Sequence, residues 1–151
     1  MINAIQKAIV DAMKSKDQDR LLVLRTLQSD IKNVAIKSAR KDPTDGDAMD
    51  ALVKAAKQRE DAIQQFTVAN RSDLVAVESY QLSVIKEFLP QQMAEDEVRS
   101  IVTDAIERVS AANGGDRSKK LMGPLMRELN ATLKGKADMK LVNSIVATIL
   151  S

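Results

Sequence analysis

The chain has 151 residues and a mass of 16.6 kDa, enough for one domain or two small ones. It contains no cysteine and no histidine, which excludes disulfides, thiolate zinc sites and histidine-based catalysis. Aromatic residues make up 2% of the chain, too few for a sheet-rich core or for stacking nucleic-acid bases. The net charge is +2, but residues 1–41 carry +5, residues 42–112 carry −7 and residues 113–151 carry +4. This distribution is typical of solvated helix faces, and it also allows an anionic partner at either end.

Apolar residues at helical spacing predict two helices in the first 41 residues, separated at Ser15–Asp17. The first stripe is Ile2, Ile5, Ile9 and Met13, and the second is Leu21, Leu24, Leu27, Ile31, Val34 and Ala35. Asp17 is expected to cap the second helix. That helix is expected to end near Arg40 and Lys41, because cations suit a helix C-terminus.

A loop at Asp42–Gly46 separates these helices from a third, predicted from about Asp47 to Asn70. Asn70 is expected to end it, because asparagine tolerates the left-handed conformation. Arg59 lies on the apolar face of this helix, so we expect it to snorkel or to pair with a carboxylate.

Ser72 or Asp73 is expected to cap a fourth helix, which Pro90 closes. Beyond it, three more helices are predicted, with Lys134–Asp138 between the last two. Gly135 is expected to adopt a positive φ, and Asp138 to cap the seventh helix. The prediction is an all-α protein, with an N-terminal bundle of about four helices in residues 1–90 and a smaller three-helix domain in residues 91–151.

Gly123 and Pro124 fall inside the sixth apolar stripe and leave two interpretations open. A helix that starts late would place Pro124 in its first turn, where proline is tolerated. Alternatively, Gly123 lets another backbone or a phosphate approach closely. Sterics favour the first interpretation.

No residue pattern predicts catalysis, a cofactor or a metal site. The Gly114–Lys120 segment has neither the spacing of a phosphate-binding loop nor a preceding strand. The acidic cluster around Gly46 does not match a calcium loop and fits an acidic helix N-terminus better. No apolar run is long enough to span a membrane, and the N-terminal residues lack a secretory-signal pattern, so we expect no membrane contact and a cytoplasmic location.

Lysines and glycines in the last third of the chain form the candidate binding site. Lysines around glycine turns and a helix N-terminus can hold phosphates through charge and backbone N–H donors. Without nearby aromatic residues, such a site would recognise backbone shape and not sequence. The candidate nucleic-acid-binding residues are Lys119, Lys120, Gly123, Lys134, Gly135, Lys136 and Lys140.

Five sequence motifs, in this order, resemble the GatB/YqeY family, and within it the stand-alone YqeY-like proteins. The motifs are Arg59-x-Asp61-Ala62-Ile63-x-x-Phe66, Ala69-Asn70-Arg71-Ser72-Asp73-Leu74, Phe88-Leu89-Pro90, Met122-Gly123, and Lys134-Gly135-Lys136-Ala137-Asp138 through Leu141-Val142-Asn143. The resemblance covers nearly the whole chain. It implies an N-terminal helical bundle and a C-terminal domain similar to the tail of the B subunit of the tRNA-dependent amidotransferase.

The same resemblance implies a role without a catalytic centre, because the amidotransferase active sites lie in parts of that enzyme that this chain lacks. The leading hypothesis is an accessory protein that binds tRNA or associates with amidotransferase subunits or an aminoacyl-tRNA synthetase. A carbon–nitrogen ligase activity with glutamine as amido donor would then belong to the chain only by association. The alternative is a helical protein–protein adaptor with no nucleic-acid role, docking through Asn70, Arg71 and Asp73.

Overall fold

The computed structural model describes residues 1–150, which form seven α-helices, one 3₁₀ turn and no strand. The all-α prediction is confirmed. The elements are α1 (Ile2–Lys14), α2 (Gln18–Lys37), α3 (Asp45–Val68), α4 (Ser72–Lys86), α5 (Glu95–Ala112), the 3₁₀ turn (Lys119–Leu121), α6 (Met122–Leu133) and α7 (Met139–Ile149). They form two compact units: unit 1 is Met1–Leu89, with α1 to α4, and unit 2 begins at Pro90 and contains α5 to α7.

Unit 1 is a four-helix unit in which α2 packs on α1, α3 and α4. Each helix contributes an almost fully buried aliphatic side chain to one core: Ile5, Leu24, Leu52 and Ile85. The apolar stripes predicted for α1 and α2 point into this core, with one exception. Met13 is 45% exposed, and Ala12 is buried in its place.

Three of the four helices of unit 1, α1 to α3, are followed by a residue in the left-handed conformation. Asn70 has φ +56°, as predicted, and the Arg71 N–H donates to the Phe66 carbonyl over 2.9 Å. The prediction that α2 continues to Arg40 is wrong, because Ala39 has φ +56° and the Arg40 N–H donates to the Ala35 carbonyl over 3.0 Å. This bond closes α2 in the Schellman pattern, so the helix stops at Lys37.

Side chains fix the starts of α2 and α3. The Asp17 carboxylate accepts the Arg20 N–H over 3.1 Å, which confirms the predicted cap. At α3 the Thr44 hydroxyl accepts the Asp47 N–H over 3.2 Å, while the Asp47 carboxylate accepts the Thr44 N–H over 2.8 Å. This capping box explains why acidic residues cluster near Gly46. The cap predicted for α4 is wrong, because Arg71 occupies that position and the Asp73 carboxylate pairs with the Arg71 side chain.

The far ends of α3 and α4 form a two-helix arm. None of residues 57–81 is buried, whereas the first half of α3 and the last turns of α4 lie in the core. The Arg59 guanidinium holds the base of the arm, donating to Gln81 over 2.9 Å and lying 3.6 Å from the Glu78 carboxylate. The predicted carboxylate partner for Arg59 is therefore confirmed.

Unit 2 has its own core, built from one face of each of its three helices. The buried side chains are Val98, Val102 and Ile106 on α5, Leu125, Leu129 and Leu133 on α6, and Val142, Ile145 and Val146 on α7. Because α6 and α7 are short, the turn between them must be held firmly for both helices to reach this core. That turn carries part of the candidate site.

Candidate nucleic-acid interface

The turn between α6 and α7 is built around Gly135. This residue has φ +76°, as predicted, and it is buried. The N–H groups of Lys136 and Ala137 both donate to the Leu133 carbonyl, over 2.9 and 3.1 Å. Gly135 therefore provides the buried left-handed residue that the turn requires. The N–H groups of Lys136 and Ala137 already donate within the turn.

The segment before α5 supports the turn from the other side. The Gln92 side-chain amide donates to the Gly135 carbonyl over 2.9 Å, and the Met93 N–H donates to the Lys136 carbonyl over 2.8 Å. Gln92 lies two residues beyond the predicted domain boundary at Pro90, and no role was predicted for it. No sequence signal marked it, since its contact with the turn spans 43 positions of the chain.

Three of the predicted lysines gather at this turn. Lys134 and Lys136 flank Gly135, Lys140 lies in the first turn of α7, and all three are exposed. Asp138 caps α7 as predicted, because its carboxylate accepts the Lys140 N–H over 2.9 Å. Within residues 1–150, Lys136 and Lys140 form no ion pair with a carboxylate. Their ammonium groups are therefore available to an external anion.

Lys119 and Lys120 lie on the 3₁₀ turn that precedes α6, and both are exposed. Asp116 precedes them in a tight turn, where its carboxylate accepts the Ser118 N–H over 2.8 Å and the Ser118 hydroxyl over 3.0 Å. The Ser118 N–H, followed by the Ser118 hydroxyl and the charge of Lys120, lowers the pKa of Asp116 below its ordinary value. An ionised Asp116 therefore offsets part of the positive charge at this turn.

The predicted lysines form two groups, one at each end of α6. This helix has 12 residues and is about 18 Å long at 1.5 Å per residue. Lys119 and Lys120 form the first group, and Lys134, Lys136 and Lys140 form the second. The structure thus places two basic groups on turns, with a helix between them.

Gly123 lies between the two groups in the first turn of α6, followed by Pro124. Proline is tolerated there because its missing N–H has no partner within the helix at this position. A Cβ on Gly123 would meet no atom within 4 Å. Nothing in the described chain therefore requires glycine here, which favours the first of the two interpretations.

The predicted partner-binding residues lie in unit 1, at the tip of the two-helix arm. Asn70, Arg71 and Asp73 are all exposed. The Arg71 guanidinium donates to both Asp73 carboxylate oxygens, over 3.2 and 3.1 Å, and this lowers the pKa of Asp73. The motif therefore closes α3, opens α4 and presents a fixed ion pair to solvent.

Two other classes of site are absent from residues 1–150. These residues contain no group of three or more acidic, histidine or cysteine side chains placed to hold a metal ion. None of their helices combines the length and apolar character needed to cross a bilayer.

Fold and site together define a class: an all-helical, two-unit protein whose candidate site is a set of exposed lysines on turns. The chain belongs to the YqeY-like protein family, whose profile matches residues 2–150. It is 38% identical over 87 residues to an uncharacterized protein of Schizosaccharomyces pombe, covering 58% of this chain and 70% of that protein.

Two further relatives carry the name "Altered inheritance of mitochondria protein 41, mitochondrial". The chain is 30% identical to that of Pyrenophora tritici-repentis, covering 88% of this chain and 71% of the relative. It is 29% identical to that of Candida glabrata, covering 100% of this chain and 82% of the relative.

Proposed function

We propose that this chain is an accessory tRNA-binding protein associated with tRNA-dependent amidation, with the phosphate backbone held by the lysines of unit 2. The supporting observation is the Gly135 turn, where Lys134 and Lys136 project from a backbone held by Gln92 and Met93, and Lys140 follows in the first turn of α7. Because the backbone of the turn is already ordered, binding loses less conformational entropy than it would with a flexible loop. Lys119 and Lys120, at the other end of α6, which is about 18 Å long, provide contacts with separate phosphates. Proteins recognise A-form helices through such contacts and through helix shape.

The test is tRNA binding at about 50 and 200 mM salt, which is the range over which counterion release changes affinity steeply. A Lys134/Lys136/Lys140→Glu triple variant should weaken binding and lower the slope of log affinity against log salt by about 2–3, or nearly one per lost phosphate contact. The matched control is Lys54/Lys57/Lys86→Glu, which makes the same charge change on exposed lysines of unit 1. An equal loss in both variants, or no binding at low salt, contradicts the proposal.

A second function is supported by the two-helix arm of unit 1. Residues 57–81 contain no buried side chain, and Val68 and Val77 on the arm are 84% and 51% exposed. An arm of this kind suits a protein–protein adaptor that docks on an amidotransferase subunit or an aminoacyl-tRNA synthetase through Asn70, Arg71 and Asp73.

Charge reversal separates the two functions. Arg71→Glu should abolish co-purification with such a partner and leave tRNA affinity unchanged, because Arg71 lies in unit 1. Arg99→Glu is the matched control, since Arg99 is also an exposed arginine in an ion pair, with Glu95 at 3.1 Å. Loss of the partner with both variants would contradict docking through the arm tip.

The cytoplasmic location stays a prediction from sequence. The names of the two fungal relatives place those proteins in mitochondria, and a mitochondrial site of action would pair the chain with mitochondrial tRNAs. Fractionation of cells that express the chain with a C-terminal tag tests the prediction, which a mitochondrial signal would overturn.

A further inference from the structure

Unit 1 has an apolar pocket of about 90 Å³ between α1 and α2. Ile2, Ile5, Ile31 and Pro43 provide most of its apolar lining, and Gln6, Gln28 and Lys32 complete it. A cavity of about 150 Å³ in a protein core takes up a benzene ring, so a 90 Å³ pocket suits one aliphatic side chain.

Beyond this pocket, α1 carries two exposed apolar residues, and the pocket and this stripe together are the candidate groove. Gln6, Val10 and Met13 recur at helical spacing on one stripe of α1, and Val10 and Met13 are 43% and 45% exposed. The Arg25 guanidinium contacts the Met13 sulfur at 3.7 Å, which places this stripe beside α2. The groove thus follows α1, whose 13 residues span about 20 Å.

Cations border the groove on both sides. Lys7 and Lys14 lie three and four residues from Val10 on α1, Arg25 and Lys32 lie on the adjoining side of α2, and all four are exposed.

Four acidic residues lie in this region. Asp11 lies between Lys7 and Lys14 on α1, and the exposed Asp42 precedes Pro43. Asp30 lines a different pocket, beside α3. Asp45, near the Ile2 end of the groove, accepts the Ile2 N–H over 3.2 Å and lies 3.5 Å from the amino group of Met1. The four cations of the rim, Lys7, Lys14, Arg25 and Lys32, therefore outnumber the two carboxylates beside it, Asp11 and Asp42.

We propose that this groove binds an amphipathic α-helix of a partner protein, with an aliphatic anchor in the pocket and Asp or Glu residues facing the cationic rim. A helix laid in a groove uses apolar anchors at i, i+3 or i+4, and i+7, and a groove of about 20 Å accommodates about 13 helical residues. The rim adds charge complementarity, which steers and selects the partner. The proposal goes beyond tRNA binding and does not depend on it, because unit 1 alone carries it.

The apolar floor favours a peptide over the other anionic partners. A phosphate backbone gains nothing from Ile2, Ile5 and Val10, and no aromatic side chain lines the pocket to stack a base. A membrane surface requires a continuous apolar face, whereas here the polar Gln6 separates Val10 from the pocket, which is concave and lies between two helices.

The test is selection from a display library of 18-residue helical peptides against the full chain. Leucine is fixed at i, i+4 and i+7, and the flanking positions vary among Glu, Gln and Lys. We expect Glu to be enriched at least tenfold over Lys. Equal enrichment, a preference for Lys, or no enriched peptide overturns the proposal.

Charge-reversal variants locate the binding site of a selected peptide. Lys7/Lys32→Glu should weaken its binding at least tenfold, whereas Lys54/Lys57→Glu, the same charge change on α3, should alter it less than twofold. An equal effect of both variants overturns the assignment to the groove. Thermal melts of each variant establish that folding is intact.

Two further assays of the same variants separate the groove from the other partner classes. If Lys7/Lys32→Glu lowers tRNA affinity as strongly as the triple variant of unit 2, the groove belongs to nucleic acid and the proposal fails. If it abolishes binding to vesicles of phosphatidylserine and phosphatidylcholine, the groove belongs to a membrane surface and the proposal also fails.

Discussion

The two units use the same left-handed backbone conformation at the ends of helices but place different residues there. Unit 1 uses Lys16, Ala39 and Asn70, with φ between +56° and +57°, whereas unit 2 uses Gly114, Gly115 and Gly135, with φ between +69° and +86°. A side chain in this conformation costs about 1–2 kcal/mol, and less for asparagine. Unit 1 therefore carries backbone strain that unit 2 avoids, so the two units should respond in opposite directions to exchanges of glycine and alanine.

The two units also differ in the surface that surrounds their exposed lysines. In unit 1, Lys32 lines an apolar pocket and Lys7 lies on the adjoining helix α1, whereas in unit 2 Lys134 and Lys136 flank Gly135 on a turn. Charge alone therefore does not select a partner, because the surface between the cations decides whether an apolar side chain or a phosphate fits there.

The largest effect is expected at the one left-handed glycine that is buried. Gly135→Ala should destabilise the chain by about 1–2 kcal/mol, because its Cβ is unfavourable at φ +76°. Denaturation by urea, followed by circular dichroism, measures the change. Gly123→Ala is the matched control, and it should stabilise by about 0.5–1 kcal/mol because Gly123 is helical and has open space around it. Equal destabilisation by both variants would contradict the assignment of strain to φ.

The reverse exchange in unit 1 should be smaller and stabilising. Ala39→Gly should raise the free energy of unfolding by about 0.5–1 kcal/mol, since the strain relieved at φ +56° exceeds the extra entropy of glycine in the unfolded chain. Ala76→Gly, at an exposed position inside α4, should instead destabilise by about 0.5–1 kcal/mol. Destabilisation by Ala39→Gly would show that the end of α2 is not strained.

Regular helical spacing made most of the fold predictable from sequence. Seven helices and the buried stripe from Leu21 to Ala35 follow from apolar periodicity, and Asp17, Asn70 and Asp138 were identified as helix ends from local chemistry. The errors share one cause. Ala39 at positive φ and the Arg71–Asp73 pair are both local alternatives between which residue type does not decide.

The candidate site was predictable residue by residue but not in its arrangement. The lysines near Gly135 were identified from composition and glycine spacing. The sequence alone did not predict that these lysines fall into two groups at opposite ends of α6. That arrangement depends on where the 3₁₀ turn ends and the α-helix begins. The support from Gln92 depends on a contact distant in sequence, which no local pattern encodes.

Acid should weaken the two units unequally. Folding lowers the pKa of three carboxyls in unit 1: Asp45 chiefly through the Ile2 N–H, Asp47 chiefly through the Thr44 N–H, and Asp73 chiefly through the Arg71 side chain. In unit 2, the pKa of Asp116 is lowered, chiefly by the Ser118 N–H. Such a carboxyl stabilises the fold above its unfolded pKa of 3.8, and this contribution is lost as the pH falls through the lower folded pKa.

Between pH 5 and pH 3, we therefore expect a gradual loss of stability that is larger in unit 1. Amide hydrogen exchange followed by NMR measures it helix by helix, and α3 should lose protection before α6. Asp47→Asn should remove much of the pH dependence of α3, because asparagine cannot ionise and the Thr44 N–H then has a neutral acceptor. A parallel loss of protection in both units, or an unchanged pH profile for Asp47→Asn, would show that the carboxyl hydrogen bonds of unit 1 do not set its acid sensitivity.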